Sequence, residues 1–490
     1  MMAQFVLNDT LTRSKREVYA DDGDSLRFYC CGPTVYGPSH IGNFRTFIVQ
    51  DLFRRVAELS GLKTRHVRNI TDVDDKTIRE SLKEGKTLKE FTAYWYGLFA
   101  RDCQALNLLP PHVEPSAVEH IPEQVALIEK LMDSGHAYQG ADGSVYFKVS
   151  AFENYGRLSH LDKRELKFGA SANDSDEYEK ESLADFALWK ARKPEDGDNF
   201  WESPWGQGRP GWHLECSAMG MKYLTESFDL HAGGVDLCFP HHDNEIAQSE
   251  AATGKTFARH WFHSEHLMVE GSKMSKSLKN LYTLDDINHG RRGGVDGAAP
   301  GYSAAELRFE MLSGHYRQKM NFTWDGLRAA RINLERIAAF AHRLETLAGR
   351  TMGDYAAALE WAKSGMSNAF AEAWAALLDD LNTPSALGRL NTAMKPLEKR
   401  AIAGDVSADE AGEWLDGLAV LVHAFGWELP AVEEETAADV PAEVQELAEK
   451  RTAARAAKDW AASDALRDAI AALGWQVKDG KDGYELTKLD

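Results

Sequence analysis

Residues 31–43 read CGPTVYGPSHIGN, a run of glycines, prolines and one histidine set between an apolar strand-like segment and a helix-like one. At such a junction the backbone N–H groups of the first helical turn converge and the helix dipole favours an anion, so a triphosphate is the guest to expect. His40 can donate to phosphate oxygens, and Gly42 lets a nucleotide come close to the backbone. Alone, a glycine loop of this kind is weak evidence, and His40 fits an ordinary loop histidine equally well. Far down the chain, Lys273-Met274-Ser275-Lys276-Ser277 lies in a polar loop. Two ammonium groups on a loop of small residues can close over the β- and γ-phosphates and offset the charge that builds as pyrophosphate leaves. A lysine pair in a loop is by itself usually solvated surface; the pairing of the two loops is what makes the pattern specific.

Among the elements that must hold these loops, residues 25–31 read as a strand. The apolar positions Phe44, Ile48, Leu52, Val56 and Leu59 then recur at helical spacing, with Gly61 as the stop. Residues 64–71 supply a second strand, and strand-helix-strand implies a parallel sheet with a right-handed crossover, which binds ligands at strand carboxyl ends. Thr87 and Glu90 form a capping box for a helix over 87–106, residues 121–132 give an amphipathic helix closed by Gly135, and 138–149 read as a hairpin centred on 141–143. Residues 155–210, with an acidic run at 174–181, read as an irregular insertion, after which the sheet resumes near Trp212. Beyond Thr323 the texture is Ala- and Leu-rich and helical as far as Trp427, residues 428–441 read as a linker, and the remainder gives two helices and a hairpin turning at 479–483.

A chain of 490 residues exceeds one hydrophobic core, so several domains are expected. With 43% hydrophobic and 27% charged residues it falls among ordinary globular proteins. The first residues lack the apolar run of a signal peptide, and no stretch is long enough to cross a bilayer, so no membrane and a cytoplasmic location are the expectation. The net charge of −20 argues against a surface that binds nucleic acid throughout, while leaving room for a local basic footprint. Five cysteines, Cys30, Cys31, Cys103, Cys216 and Cys238, are odd in number and thinly spread, which suits metal binding or burial rather than a disulfide scaffold.

HIGN at 40–43 and KMSKS at 273–277, in this order, resemble the two signature motifs of class I aminoacyl-tRNA synthetases. The fourth position departs from the usual His, since Asn43 donates a neutral hydrogen bond and carries no charge. CCGPT at 30–34, RNITDVDDK at 68–76, GWHLECSAM at 211–219, HAGGVDLCFPHHDNE at 231–245, SGHYR at 313–317 and KDWAASDALRD at 458–468 extend the resemblance to the cysteinyl-tRNA synthetase family over nearly the whole chain.

That resemblance implies an α/β fold: a Rossmann-like catalytic domain over 1–323 with an insertion at about 110–210, a helical tRNA-docking bundle over 324–427, the linker, and a small mixed domain over 442–490 for anticodon recognition. It places one zinc ion (Zn2+) on Cys31, Cys216, His241 and Glu245. The chemistry agrees: His241 and Glu245 stand four apart after Pro240 and so share a helical face, and thiolate, imidazole and carboxylate are all ordinary zinc ligands. Cys30, Cys238, His242 and His231 compete in sequence, but strand alternation sends Cys30 and Cys31 to opposite faces, and Cys31 is the one that meets the glycine loop. The resemblance also gives Gly32, Thr34, Thr71, Trp212 and His231 to an amino-acid pocket, with ordinary core packing the alternative for Trp212. ATP with Mg2+ would meet His40, Gly42, Asn43, Asp236, Lys273, Ser275 and Lys276, of which His40, Lys273 and Lys276 would be catalytic.

The activity implied is activation of L-cysteine by ATP to an adenylate and transfer to the terminal adenosine of tRNA(Cys), by a monomer. Zinc would select the thiol over a hydroxyl, making an editing domain unnecessary. Residues 441–490 hold eight Lys and Arg against ten Asp and Glu, so aromatic stacking, with Trp475 and Tyr484 as candidates, would share in RNA recognition beside Lys450, Arg451, Arg455 and Lys458. The glycine-rich stretch 289–301 would add a mobile loop after KMSKS. Two other readings are a ligase joining cysteine to a small amine and a silent RNA-binding paralogue, the latter supported only by Asn43.

Overall fold

The computed structural model describes residues 4–160, 185–363, 365–432, 440–480 and 483–488. A ribbon of β1 (Val6–Asp9) and β2 (Ser14–Glu17) precedes β3 (Leu26–Cys30), an apolar strand buried along almost its whole length. The glycine loop follows, then α1 (Ile41–Leu59), whose apolar positions are all buried and which ends as Gly61 takes a φ of 95°. β4 (Thr64–Arg68) lies parallel to β3 as the crossover requires. α2 (Asp75–Lys83), α3 (Leu88–Ala105) and α4 (Ile121–Asp133) follow, with the Thr87–Glu90 capping box in place.

Irregular structure over 155–210 is corrected by the structure. The hairpin β5 (Ala137–Gln139) and β6 (Val145–Phe147) is extended by β7 (Phe186–Ala191) and β8 (Gly208–Pro210) into an antiparallel sheet of order β5-β6-β7-β8. These strands pair across long sequence gaps, so no short-range turn signal announces them. The acidic run at 174–181 lies outside the described residues. The parallel sheet also does not resume at Trp212. α5 (Leu214–Leu224) comes first, then β9 (Phe228–Gly234), α6 (Asp243–Thr253) and β10 (Ala258–Ser264).

The parallel sheet has the order β10-β9-β3-β4. From β3 the chain moves to β4 on one side and later returns to β9 on the other, so the crevice outside the carboxyl ends of β3 and β9 is a switch point of the type that holds ligands. A small sheet of order β12-β11-β13 joins β11 (Leu267–Val269), β12 (Ser272–Lys273) and β13 (Met320–Phe322), and it carries the KMSKS residues. The glycine-rich stretch after it closes on itself. Ala299 donates to the Gly290 carbonyl at 2.9 Å, and the Arg291 guanidinium binds Asp286 at 2.8 Å between α7 (Leu284–Asn288) and α8 (Ala304–Met311).

Helices α9 (Trp324–Ala348), α10 (Tyr355–Lys363), α11 (Ala371–Leu378), α12 (Thr383–Ala403) and α13 (Ala408–Phe425) make up the helical region. A buried cation joins it to the nucleotide fold. Arg308 of α8 donates to the Phe425 carbonyl at 2.6 Å and the Leu106 carbonyl at 2.9 Å, and it pairs with Asp51 of α1, which also binds Arg55 at 2.7 Å. Among the described residues no helix is long and apolar enough to cross a membrane.

Residues 431–490 form a separate unit of α14 (Ala442–Ala456), α15 (Trp460–Ala472) and the hairpin β14 (Trp475–Gly480) and β15 (Gly483–Lys488). Trp475 lies in its core beside Val444, Ile470 and Val477, with Tyr484 packed against them. This corrects the expectation that those two rings stand out for stacking, because a unit this small needs them to close its core. The ring that does stand out is Trp460, 58% exposed, with the Arg455 guanidinium 5.8 Å from its centroid.

Candidate active site

His40 is the N-cap of α1: its Nδ1 accepts from the Asn43 N–H at 3.3 Å, while Asn43 Oδ1 accepts from the His40 N–H at 3.1 Å. Asn43 therefore closes a reciprocal capping box, a role its short amide fills and one that fixes the first turn where an anion would sit. Burial lowers the His40 pKa, while its own backbone contact and the charge of Asp236 act the other way, which places Asp236 next to the HIGN turn. The KMSKS loop folds back onto this turn. Ile41 donates to the Tyr282 carbonyl at 2.8 Å, and a Cβ on Gly42 would meet the Met274 sulfur at 3.0 Å. Asn280 braces the loop by accepting from the Ser275 N–H at 2.8 Å and donating to the Lys273 carbonyl at 3.1 Å. Lys273 and Lys276 remain exposed. Two loops separated by more than 200 residues in sequence thus pack against one another.

The strand that feeds the glycine loop sets Cys30 and Cys31 on opposite faces. Cys30 joins the core beneath α1, and Cys31 faces α5 and α6. There the ligand atoms of Cys31, His241, His242 and Glu245 all lie within 4.8 Å of one another, and all four residues are buried. Cys216 of α5, expected as a ligand, falls outside that group, whose fourth member is His242, but it hydrogen-bonds to Cys31 and His241 at its border. His241 Nε2 is 3.0 Å from Glu245 Oε1, as the four-residue spacing requires, and Phe239 is extended ahead of this turn. His242, one of the sequence competitors, is present as well, with Nε2 3.3 Å from Cys31 Sγ.

Charge in this cluster is set by neighbours working against burial. Burial disfavours the imidazolium of His241, but Glu245 and Cys216 lift its pKa to about 10. Burial likewise opposes ionisation of Glu245, yet His231 and His241 bring it down to about 2. Burial pushes the Cys31 thiol well up, with Cys216 adding to the rise, whereas Cys216, although buried, is drawn down to about 6 by hydrogen bonds from Cys31 and His241. A thiol, two imidazoles and a carboxylate that converge in a dry site, with the Cys216 thiol beside them, fit a zinc ion in chemistry.

Trp212 is not core: it is 39% exposed and stacks on His241 at 4.5 Å between centroids. Thr34 and Thr71 pair as a backbone bridge, and a Cβ on Gly32 would meet the Asn69 carbonyl at 1.7 Å, so only glycine fits there. The His231 ring is fully buried against Trp261, and its Nε2 lies 2.8 Å from Glu245 Oε2, so it braces that carboxylate.

Other participants give no motif of their own. His213 Nδ1 is 2.9 Å from His241 Nδ1, and His263 Nε2 is 2.8 Å from His242 Nδ1. Thr71 donates to Glu215 Oε1 at 2.5 Å and accepts from Asn69 Nδ2 at 3.1 Å. Burial raises the Glu215 carboxyl well above its usual range, and Cys216 adds to it. Asn69 and Glu215 could have been noticed only as polar residues inside the otherwise assigned RNITDVDDK and GWHLECSAM stretches.

Comparison with known proteins completes the picture. Residues 18–332 match the model of the tRNA synthetases class I (C) catalytic domain, and residues 437–485 match the cysteinyl-tRNA ligase anticodon binding domain. The chain is 51% identical over 489 residues to the cysteine–tRNA ligase of Opitutus terrae, with 98% of each chain covered. The chain belongs to the cysteinyl-tRNA ligase family. It is also 42% identical to the cysteine–tRNA ligase of Chlamydia muridarum, with 99% of each covered. A solved methionyl-tRNA synthetase of Mycobacterium tuberculosis, in complex with methionyl-adenylate, superposes with a TM-score of 0.57 over 82% of this chain and 90% of that one. At 14% identity that likeness concerns the fold, and it agrees with the α/β class read from the sequence of a family member.

Proposed function

We propose that this chain, an enzyme that ligates cysteine to transfer RNA, selects its amino acid through a zinc ion held by Cys31, Cys216, His241 and Glu245 beside the HIGN and KMSKS loops. The observation that supports the reading is the cluster of Cys31, His241, His242 and Glu245 at the carboxyl end of β3, where the nucleotide loop begins, with Cys216 beside Cys31 and His241. Zinc, when bound, supplies a soft Lewis acid that favours a thiolate far more than a serine hydroxyl.

In the first step the cysteine carboxylate attacks the α-phosphate of ATP, the bond to the β-phosphate breaks, and pyrophosphate leaves. His40 and the backbone of the first turn of α1 hold phosphate oxygens, Asn43 fixes that turn, and Lys273 and Lys276 close over the departing charge, with Mg2+ accompanying the ATP. Ser275 shapes the KMSKS loop, and Asp236 is positioned for the ribose. Gly32, Thr34, Thr71 and Trp212 enclose the amino acid, the Trp212 ring shielding His241. In the second step a ribose hydroxyl of the terminal adenosine, by class I resemblance the 2′-hydroxyl, takes the aminoacyl group and AMP leaves.

The domain plan that goes with this reading is a catalytic domain over 1–323, a helical docking region over 324–427, a linker over 428–441 and an anticodon-reading domain over 442–490. The enzyme acts as a monomer in the cytoplasm. A match to an anticodon binding domain weighs against a small amine as acceptor. The capping role of Asn43 weighs against a silent paralogue, since the substitution serves the loop. The test is cysteine-dependent ATP–pyrophosphate exchange alongside metal analysis and charging of tRNA(Cys). Cys216→Ser and His241→Ala should each lose both the metal and the exchange; full exchange in metal-free protein would end the zinc reading.

A further inference from the structure

The hydroxyl of Thr71 is held by three residues in a fixed polarity. The Gly32 N–H donates to Asn69 Oδ1 at 2.8 Å, and since a backbone N–H can only donate, the Asn69 amide has one orientation. Its Nδ2 therefore faces Thr71 Oγ1 and donates at 3.1 Å. Thr71 sends its own proton to Glu215 Oε1, which accepts whether the carboxyl is ionised or carries its proton on the unpartnered Oε2. Asn69 is 1% exposed and Glu215 2% exposed, so solvent does not reorder this chain. The second oxygen of Glu215 has no partner, which leaves Thr71 as the group that this carboxyl serves.

A hydroxyl whose proton is committed presents only lone pairs. Thr71 lies between the 33–35 loop, where it donates its N–H to the Pro33 carbonyl at 3.0 Å, and helix α5, where Glu215 neighbours Cys216. A cysteine with its sulfur at Cys31 and Cys216 and its carboxylate toward His40 passes this point, and its one other strong donor is the α-ammonium.

We propose that Glu215, with Asn69, is a positioning residue that locks the Thr71 hydroxyl as an acceptor for the α-ammonium of the substrate, making this corner the determinant of an amino acid over a thiol acid. The inference rests on the proposed cysteine site. It assigns Glu215 no contact with substrate.

The experiment measures inhibition of cysteine-dependent exchange by cysteamine, which keeps the ammonium, and by 3-mercaptopropionate, which lacks it, in wild type, Thr71→Val, Glu215→Ala, Glu215→Gln and the Thr71→Val/Glu215→Ala double variant. Thr71→Val and Glu215→Ala should each raise the cysteine KM and the cysteamine inhibition constant about tenfold, the worth of one hydrogen bond to a charged group, and leave 3-mercaptopropionate within twofold. Glu215→Gln, which keeps an acceptor oxygen, should restore most of the affinity. The double variant should be no worse than Thr71→Val alone, because Glu215 acts through that hydroxyl. Equal weakening of both inhibitors, a Gln variant as poor as the Ala variant, or additive losses in the double variant would each overturn the proposal. Should Glu215→Ala fail to fold, Thr71→Val decides by the same comparison. Absence of cysteine-dependent exchange in the wild type would instead strike the underlying site reading.

Discussion

Replacing Glu310 with Gln should remove this carboxyl's share of the fall in stability between acid and neutral pH. Glu310 lies in α8, 7% exposed, and burial lifts its carboxyl pKa to about 7, with the Thr323 N–H offsetting part of the rise. The surroundings leave no slack, since a Cβ on Gly326 would sit 2.1 Å from the Glu310 carboxyl oxygen. Unfolded, the group titrates near 4.5. Between the two values the folded chain keeps a proton that the unfolded chain has released, so stability declines as pH rises. Below about pH 4.5 both states are protonated and nothing is lost; above about 7 the folded carboxyl must ionise in an apolar setting and the whole loss is present. The full gap corresponds to about 3 kcal/mol, of which about 2 kcal/mol falls between about pH 5 and pH 8. Gln keeps the shape and does not titrate. Urea unfolding at a series of pH values should show the wild type losing about 2 kcal/mol relative to Glu310→Gln over that interval, leaving the variant the more stable at pH 8. A difference between the two proteins that stays flat across the interval would refute burial as the source of the shift.

Two further outcomes follow from named contacts. Arg308→Met strands Asp51, 5% exposed, with Arg55 as its one remaining cation among the described residues, so it should cost about 3 to 5 kcal/mol in urea unfolding, and the double variant with Asp51→Leu should recover much of that loss. Trp460→Ala, on the exposed ring of the 431–490 unit, should lower charging of tRNA(Cys) through the KM for the RNA by roughly tenfold, the order of one lost stacking contact, while leaving pyrophosphate exchange unchanged.

Legibility in the sequence divides along physical lines. The glycine loop, the KMSKS loop and α1 announce themselves because their signals are local: a glycine where backbone must approach, a periodic apolar face, a cap three residues from its partner. Cys31 over Cys30 is legible for the same reason, since strand alternation is a rule between neighbours. β7 and β8 are invisible because each finds its partner across a gap that leaves no turn chemistry to read. Trp475 misleads because exposure is a property of the finished core: a tryptophan near a basic helix looks like a stacking platform until the unit around it proves too small to close without it. The His231 contact with Glu245 is not legible in the same way, since its motif places it at the site without naming the carboxylate it holds.

That layer behind the site is where sequence reasoning has least purchase and where the structure adds most. A side chain held at one atom only can rotate, and Glu245, His241 and their neighbour His242 are each held at a second. His231 grips the far oxygen of Glu245, His213 the far nitrogen of His241, and His263 the far nitrogen of His242, with Thr10 in turn 2.8 Å from His263 Nδ1. If Cys31 carries the thiolate, His242 donates to it through Nε2, His263 donates to His242, and Thr10 donates to His263, one consistent direction of donors from the first strand's end to the sulfur. Orientation of this kind is settled on folding and not when substrate arrives, so the ordering entropy is already spent before the thiol binds. The residues responsible come from β9, β10, the N-cap of α5 and the β1–β2 turn, and no spacing rule links them. Only the closing of the parallel sheet puts them in one layer.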